Sequence, residues 1–185
     1  MWRSAEPQIK AFGWRDWIKK IGVNHGNEGG YMRLALTIPG QPIAQNRPRF
    51  ARRGKHVCAY SDQEEETGLW VLTARDQVKK ALVPGQGVVV DCPVGIKLKC
   101  YLKRPAGHWG SGRNAMKLKP TAPAVPGKKP DLDNYIKFAL DCLNHCGVWA
   151  DDSVVVWIVA SKLYADRGEE ARTNILITTA NDIGE

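Results

Sequence analysis

Four side chains between residues 129 and 152 have the types and spacing to act on a phosphodiester: Asp131, Asp133, Lys137 and Asp152. Asp131 and Asp133 flank one residue, directly after Pro130, where the following pattern starts a helix. Short carboxylates are hard oxygen donors that suit magnesium or manganese. A bound ion polarises a phosphoryl oxygen and acidifies an attacking water. Lys137 falls one helical turn after Asp133, placed to offset negative charge developing on phosphate. Asp133, Lys137 and Asp141 recur every four residues, so they share a face, with Ile136, Leu140 and Leu143 as the opposing apolar stripe. A plainer reading stays open: one Asp caps the helix and the other faces solvent. Whether Asp151-Asp152 returns to the helix start depends on sheet geometry, which spacing does not fix.

The elements that must hold these residues can be read on either side. A strand is expected near Tyr31–Ile38, where Leu34, Leu36 and Ile38 alternate with Arg33, Ala35 and Thr37. A basic Gly- and Pro-containing loop runs from there to Tyr60. Ser61 with Glu64 forms a capping box for a first helix, whose buried stripe is Val71, Ala74, Val78 and Leu82 and which ends at Pro84-Gly85. Residues 88–103 read as one or two strands, irregular near Pro93 and Gly95. Residues 105–129 lack periodicity, and a loop that long in a compact domain is functional or disordered. A second helix spans about 133–146 and stops at Gly147. Strands near 153–164 and 172–179 complete a β-α-β-α-β-β order. The fold class is therefore α+β: one domain, residues 31–185, with a mixed sheet packed by two main helices. Residues 1–30 form an N-terminal extension in which 7–21 has the spacing of a short amphipathic helix and 24–30 reads as a linker.

The chain has 27 Lys and Arg against 19 Asp and Glu, a formal charge of +8. Such a balance attracts polyanions, because neutralised phosphates release counterions. The charge is concentrated. Arg47, Arg49, Arg52, Arg53 and Lys55 form one acid-free run; Lys103, Arg104, Arg113, Lys117, Lys119, Lys128 and Lys129 form another. Both precede the acidic stretch in sequence, and contacts from them would position nucleic acid without reading bases. The DNA-binding candidates are Arg47, Arg49, Arg52, Arg53, Lys117, Lys119, Lys128 and Lys129. His108 and Trp109 either stack on an exposed base or pack their loop onto the body, the second being the expected arrangement. Trp149 reads as core. Five cysteines without a regular framework indicate a reducing compartment. Cys142 and Cys146 beside His145 make half a zinc set with no second pair, so buried thiols are expected. No apolar run approaches the roughly 18 residues of a membrane span, and no signal-peptide core is visible. The expected setting is cytoplasmic, in a bacterial or phage-infected host cell, with no membrane association.

The segment Pro130-Asp131-Leu132-Asp133-Asn134, Lys137 and Trp149-Ala150-Asp151-Asp152 resembles the RusA family of Holliday junction resolvases. Asp141-Cys142-Leu143-Asn144 and Gly147-Val148 are similar to that family's helix and its exit. Gly40-Gln41-Pro42, Arg47-Pro48-Arg49-Phe50 and Tyr60-Ser61 extend the likeness in order, from about residue 31 to 179. The resemblance implies a homodimer with two active sites, each cutting one strand of a four-way junction to leave nicks a ligase can seal. It implies magnesium, with manganese as a substitute, held by Asp131, Asp133 and Asp152, and Lys137 as the catalytic lysine; Asp151 would assist as a ligand or hold its loop. Residues 1–30 have no counterpart. Other branched substrates such as flaps and forks, a non-catalytic basic DNA-binding protein, and an interaction module built on the Trp-rich N-terminal segment are the competing readings.

Overall fold

The structure, a computed structural model, describes residues 33–47, 49–53, 56–60, 62–81, 90, 92–149 and 151–179. The expected helix over 7–21, and Ser61, Leu82 and Pro84-Gly85 at the ends of the first helix, lie outside these residues.

Strand β1, Arg33–Pro39, shows the alternation expected of it, with Leu34, Leu36 and Ile38 turned into the core. The basic stretch that follows is not all loop. Arg49–Arg53 (β2) and His56–Tyr60 (β3) pair antiparallel as a separate two-stranded ribbon, Arg49 opposite Tyr60 and Arg53 opposite His56. Charged residues on both sides of β2 hide the period of two that would have marked it. Phe50 and Val57 remain exposed, so the ribbon buries little of its own.

Helix α1, Glu64–Ala81, carries Glu64, Glu65 and Glu66 in its first turn and Lys79 and Lys80 in its last, each sign suited to the helix dipole. It buries Val71, Ala74 and Val78 as the spacing predicts, and also Trp70. Strand β4, Val94–Leu102, slips register between Val94 and Gly95. The slip has a cause in packing: a Cβ on Gly95 would lie 1.7 Å from the Trp157 indole, so only glycine admits that ring.

Helix α2 spans Leu132–Cys146 and ends where Gly147 adopts a left-handed φ of 71°. Its buried face is Tyr135, Phe138, Ala139, Cys142 and Leu143. Ile136 and Leu140, expected in that stripe, are only partly buried at its border. Strands β5, Val155–Tyr164, and β6, Arg172–Thr179, complete a four-stranded sheet in the order β1-β6-β4-β5. Strand β6 is antiparallel to both neighbours, while β4 and β5 are parallel. Parallel neighbours need a crossover, and α2 with its preceding loop supplies it. The result is an α+β domain with a mixed sheet and two helices, as the sequence pattern predicts.

The core gathers α1, α2 and one face of the sheet, including Leu36, Ile96, Leu98, Ile175 and Ile177. Trp149 is 2% exposed, and its indole N–H donates to the Asn144 side-chain oxygen, fixing the turn from α2 toward β5. No helix among the described residues is long and apolar enough to cross a membrane.

Candidate active site

Crossover geometry decides which carboxylates meet. Strand β5 runs parallel to β4, and α2 runs back between them, so the start of α2 stands near the end of β5. Hydrogen bonds mark that proximity: the Lys162 ammonium donates to the carbonyls of Pro130, at 2.8 Å, and Lys128, at 3.0 Å. Asp131 and Asp133 therefore occupy the end of the domain at which β4 and β5 finish.

Asp131 is the N-cap residue of α2, with φ −75° and ψ 154°, yet its carboxylate makes no capping hydrogen bond. Its backbone carbonyl instead accepts from Asn134 N–H at 3.2 Å. The plain explanation for an Asp at this position, a side-chain cap, is not what the residue does. Asp133 lies in the first turn, and its Oδ2 is 3.2 Å from the Lys137 ammonium. Both members of this pair are 61% exposed. A solvated i,i+4 pair contributes at most about 0.5 kcal/mol to stability, so folding alone gives it little purpose. Asp141, on the same face, is used otherwise: its Oδ2 accepts from Gln45 Nε2 at 2.7 Å.

The second carboxylate group is elsewhere. Asp151 precedes the 3-10 turn Asp152–Val154, and its Oδ1 accepts from Ser153 N–H at 2.8 Å. The hydrogen bonds from Ser153 hold its carboxyl below the ordinary value. Asp151 thereby ties its own turn together. Asp152 is half-buried at the beginning of the same turn. From Val155 to Lys162, β5 covers seven residue steps, about 23 Å of strand. Asp152 thus lies at the opposite end of β5 from Asp131 and Asp133. Among the described residues, no three His, Cys, Asp or Glu side chains gather as a set that could hold a metal. One chain brings Asp131, Asp133 and Lys137 together and leaves Asp152 apart.

The basic candidates divide as well. Arg47, Lys117, Lys119, Lys128 and Lys129 are exposed. Arg49 is committed to Asp62 at 2.7 Å, and the Lys119 ammonium donates to the Gly107 carbonyl at 2.8 Å. Arg52 and Arg53 lie on the β2 edge of the ribbon. The loop from 103 to 131 is held by its own contacts: Arg104 lies over the Tyr164 ring at 4.2 Å and donates to the Pro123 carbonyl. His108 meets Tyr164 edge-on, and Arg167 covers Trp109, so both aromatics pack the loop onto the body. Arg104 thus ties the loop to β5.

The cysteines are free thiols. Burial pushes Cys100 and Cys142 up to about 12 and Cys146 up to about 11, which keeps these three protonated at neutral pH. Cys146 Sγ points to the Val71 carbonyl.

The α+β domain thus presents two exposed aspartates at the opening of the crossover helix, with Lys137 one turn on and Lys162 bonded to the backbone just before them. The model of the family described as endodeoxyribonuclease RusA matches residues 39–178. The uncharacterized protein YqaN of Bacillus subtilis (strain 168) is 33% identical over 151 residues, which cover 78% of this chain and 94% of that protein. The chain belongs to the RusA family of endodeoxyribonucleases.

Spacing alone associates Asp131, Asp133 and Lys137, which the structure places together at the start of α2. Sequence reasoning missed Lys162 and the Gln45–Asp141 contact, because their partners are 32 to 34 and 96 residues away, respectively.

Proposed function

We propose that the protein is a magnesium-dependent endodeoxyribonuclease that resolves four-way DNA junctions as a homodimer. Residues 31–185 form the nuclease domain and residues 1–30 an extension to it. The observation that carries this reading is the Asp131 carboxylate, free of any capping role, one residue from the exposed Asp133–Lys137 pair. The family match covers this segment.

The donor set fits a hard divalent ion. Asp131 offers an uncommitted carboxylate, and Asp133 shares only one oxygen with a solvated lysine. Magnesium, or manganese in its place, would be held by Asp131, Asp133 and Asp152. When bound, it would supply Lewis-acid polarisation of the phosphoryl oxygen and a water of lowered pKa. Lys137, already within reach of Asp133, would turn its ammonium to the phosphate and balance the charge that develops there. Asp152 stands at the far end of β5 from the pair, so the homodimer would provide it to the site from a second copy. Arg47, Arg49, Arg52, Arg53, Lys117, Lys119, Lys128 and Lys129 would contact phosphates and orient the junction without reading bases. Two sites cutting one strand each would leave ligatable nicks. Such an activity belongs to DNA recombination and repair, in the cytoplasm of a bacterium or a phage-infected host.

Cleavage of a labelled synthetic junction, with and without magnesium, beside a linear duplex, a flap and a fork of matching sequence, tests the proposal. Paired symmetrical nicks confined to the junction and dependent on the metal are expected. Preference for the flap or fork would replace the junction as substrate. Binding without cleavage in both magnesium and manganese would overturn the enzymatic reading.

A further inference from the structure

The pattern of β5 contains one residue out of place. Ile158, Ala160 and Lys162 point to the same side of the sheet, opposite Ile96, Leu98 and Cys100 of β4 in register. Ile158 and Ala160 pack against the core, as that face requires. The third position of the row is a lysine. No carboxylate of the described residues forms an ion pair with it; its ammonium instead donates to two backbone carbonyls, Lys128 at 3.0 Å and Pro130 at 2.8 Å. Those carbonyls flank Lys129, and the second belongs to the residue immediately before Asp131.

We propose that Lys162 is a positioning residue of the candidate active site, clamping the segment 128–130 to β5 and thereby fixing where the Asp131 carboxylate stands. The inference rests on the function proposed above and adds a residue to its site. Asp131 needs such a device, since its own side chain makes no capping bond and only its carbonyl engages α2, through Asn134 N–H. The chain enters α2 from a long loop, and a carboxylate at that junction is only as well placed as the backbone behind it. A charge-assisted clamp at two carbonyls restrains that backbone from a rigid strand. An ammonium has three donors, and two are used at these carbonyls.

Lys162→Met keeps the length of the stem and removes both hydrogen bonds; Lys162→Arg keeps donors at the position. In the full chain, Lys162→Met is expected to raise the magnesium concentration for half-maximal junction cleavage about tenfold. It should lower kcat while leaving KM for the junction unchanged, with Lys162→Arg recovering most of the loss. A readout independent of activity is amide hydrogen exchange of the metal-free protein, in which Asn134, whose N–H donates to the Asp131 carbonyl, should exchange faster in Lys162→Met and near the wild-type rate in Lys162→Arg. Manganese binding followed by calorimetry should weaken in parallel. Unchanged exchange at Asn134, with unchanged manganese affinity, would overturn the clamp. A fall in melting temperature that accounts for the lost activity, with the metal dependence unmoved, would also overturn it by making Lys162 merely structural. Should the wild-type chain cleave no junction, the proposed function fails by that result alone, while exchange and manganese affinity still decide on Lys162.

Discussion

The two ends of the β4-α2-β5 crossover both present aspartates, under opposite conditions. At the start of α2, Asp131 and Asp133 have cations around them: Lys137 at 3.2 Å from Asp133, and Lys162 clamped to the carbonyl before Asp131. Neither carboxylate is used by the helix as a cap. At the start of β5, Asp151 is spent on its own turn through Ser153 N–H, while Asp152 beside it takes no part in that bond. The first end gathers charge that folding does not require. The second has one carboxylate that folding uses and one that it does not. Local hydrogen bonding therefore separates a structural aspartate from an available one even where two are adjacent in sequence, as Asp151 and Asp152 are.

The largest effect is expected from removing a carboxylate at the first end. Asp133→Asn should reduce junction cleavage by about three orders of magnitude, the lower end of what a main charge-stabilising group contributes to phosphoryl transfer. Binding should be unchanged or tighter, because a negative charge facing DNA is gone. Quantitative cleavage and gel-shift titration check both parts, and wild-type cleavage by the variant would take Asp133 out of the site.

A smaller effect is expected at the basic surface that would carry the junction toward these ends. Replacing Arg47 and Arg49 together by alanine should weaken junction binding and flatten its dependence on salt, by about one unit of logarithmic slope for each phosphate no longer neutralised. Arg49 is paired with Asp62, so Arg47→Ala alone should account for more of the change than Arg49→Ala alone. Equal slopes in the wild type and the double variant would exclude both residues from the interface.

The smallest effect sharpens the contrast between Asp151 and its neighbour. The Ser153 hydrogen bonds hold Asp151 below its unfolded value, so the stability it contributes is present above that unfolded value. That contribution is lost as pH falls through the depressed folded value. Carboxyl titration followed by NMR should show Asp151 protonating at a lower pH than an ordinary aspartate. Ser153→Pro, which removes the donor N–H, should abolish the depression, and a normal titration of Asp151 in the wild type would contradict the turn as described.

Much of this molecule can be read from its residues because the cues are local. Pro130 and Gly147 punctuate α2, and the observed helix of Leu132–Cys146 begins one residue from the expected start and ends at the expected stop. Alternation marks β1, and the irregularity near Gly95 is a register slip accommodating Trp157. The β2-β3 ribbon was hidden because arginines at three of the five β2 positions mask its alternation. Strand order was hidden because which strands pair depends on contacts far apart in sequence. The same holds for the site. Asp131, Asp133 and Lys137 lie within two turns of one helix, so spacing alone associates them. The position of Asp152 follows from the direction of β5, and that of Lys162 from bonds to carbonyls on a distant loop.

A site in which the Asp131–Asp133 pair of one copy works with Asp152 of another can be probed by complementation. Co-expressing Asp133→Asn and Asp152→Asn chains under different affinity tags isolates the mixed dimer, in which a shared arrangement leaves one site with both substitutions and the other with none. Each parent variant should then be inert, and the mixed dimer should regain magnesium-dependent nicking of the four-way junction. A mixed dimer as inert as its parents, or none recovered, would contradict the shared site.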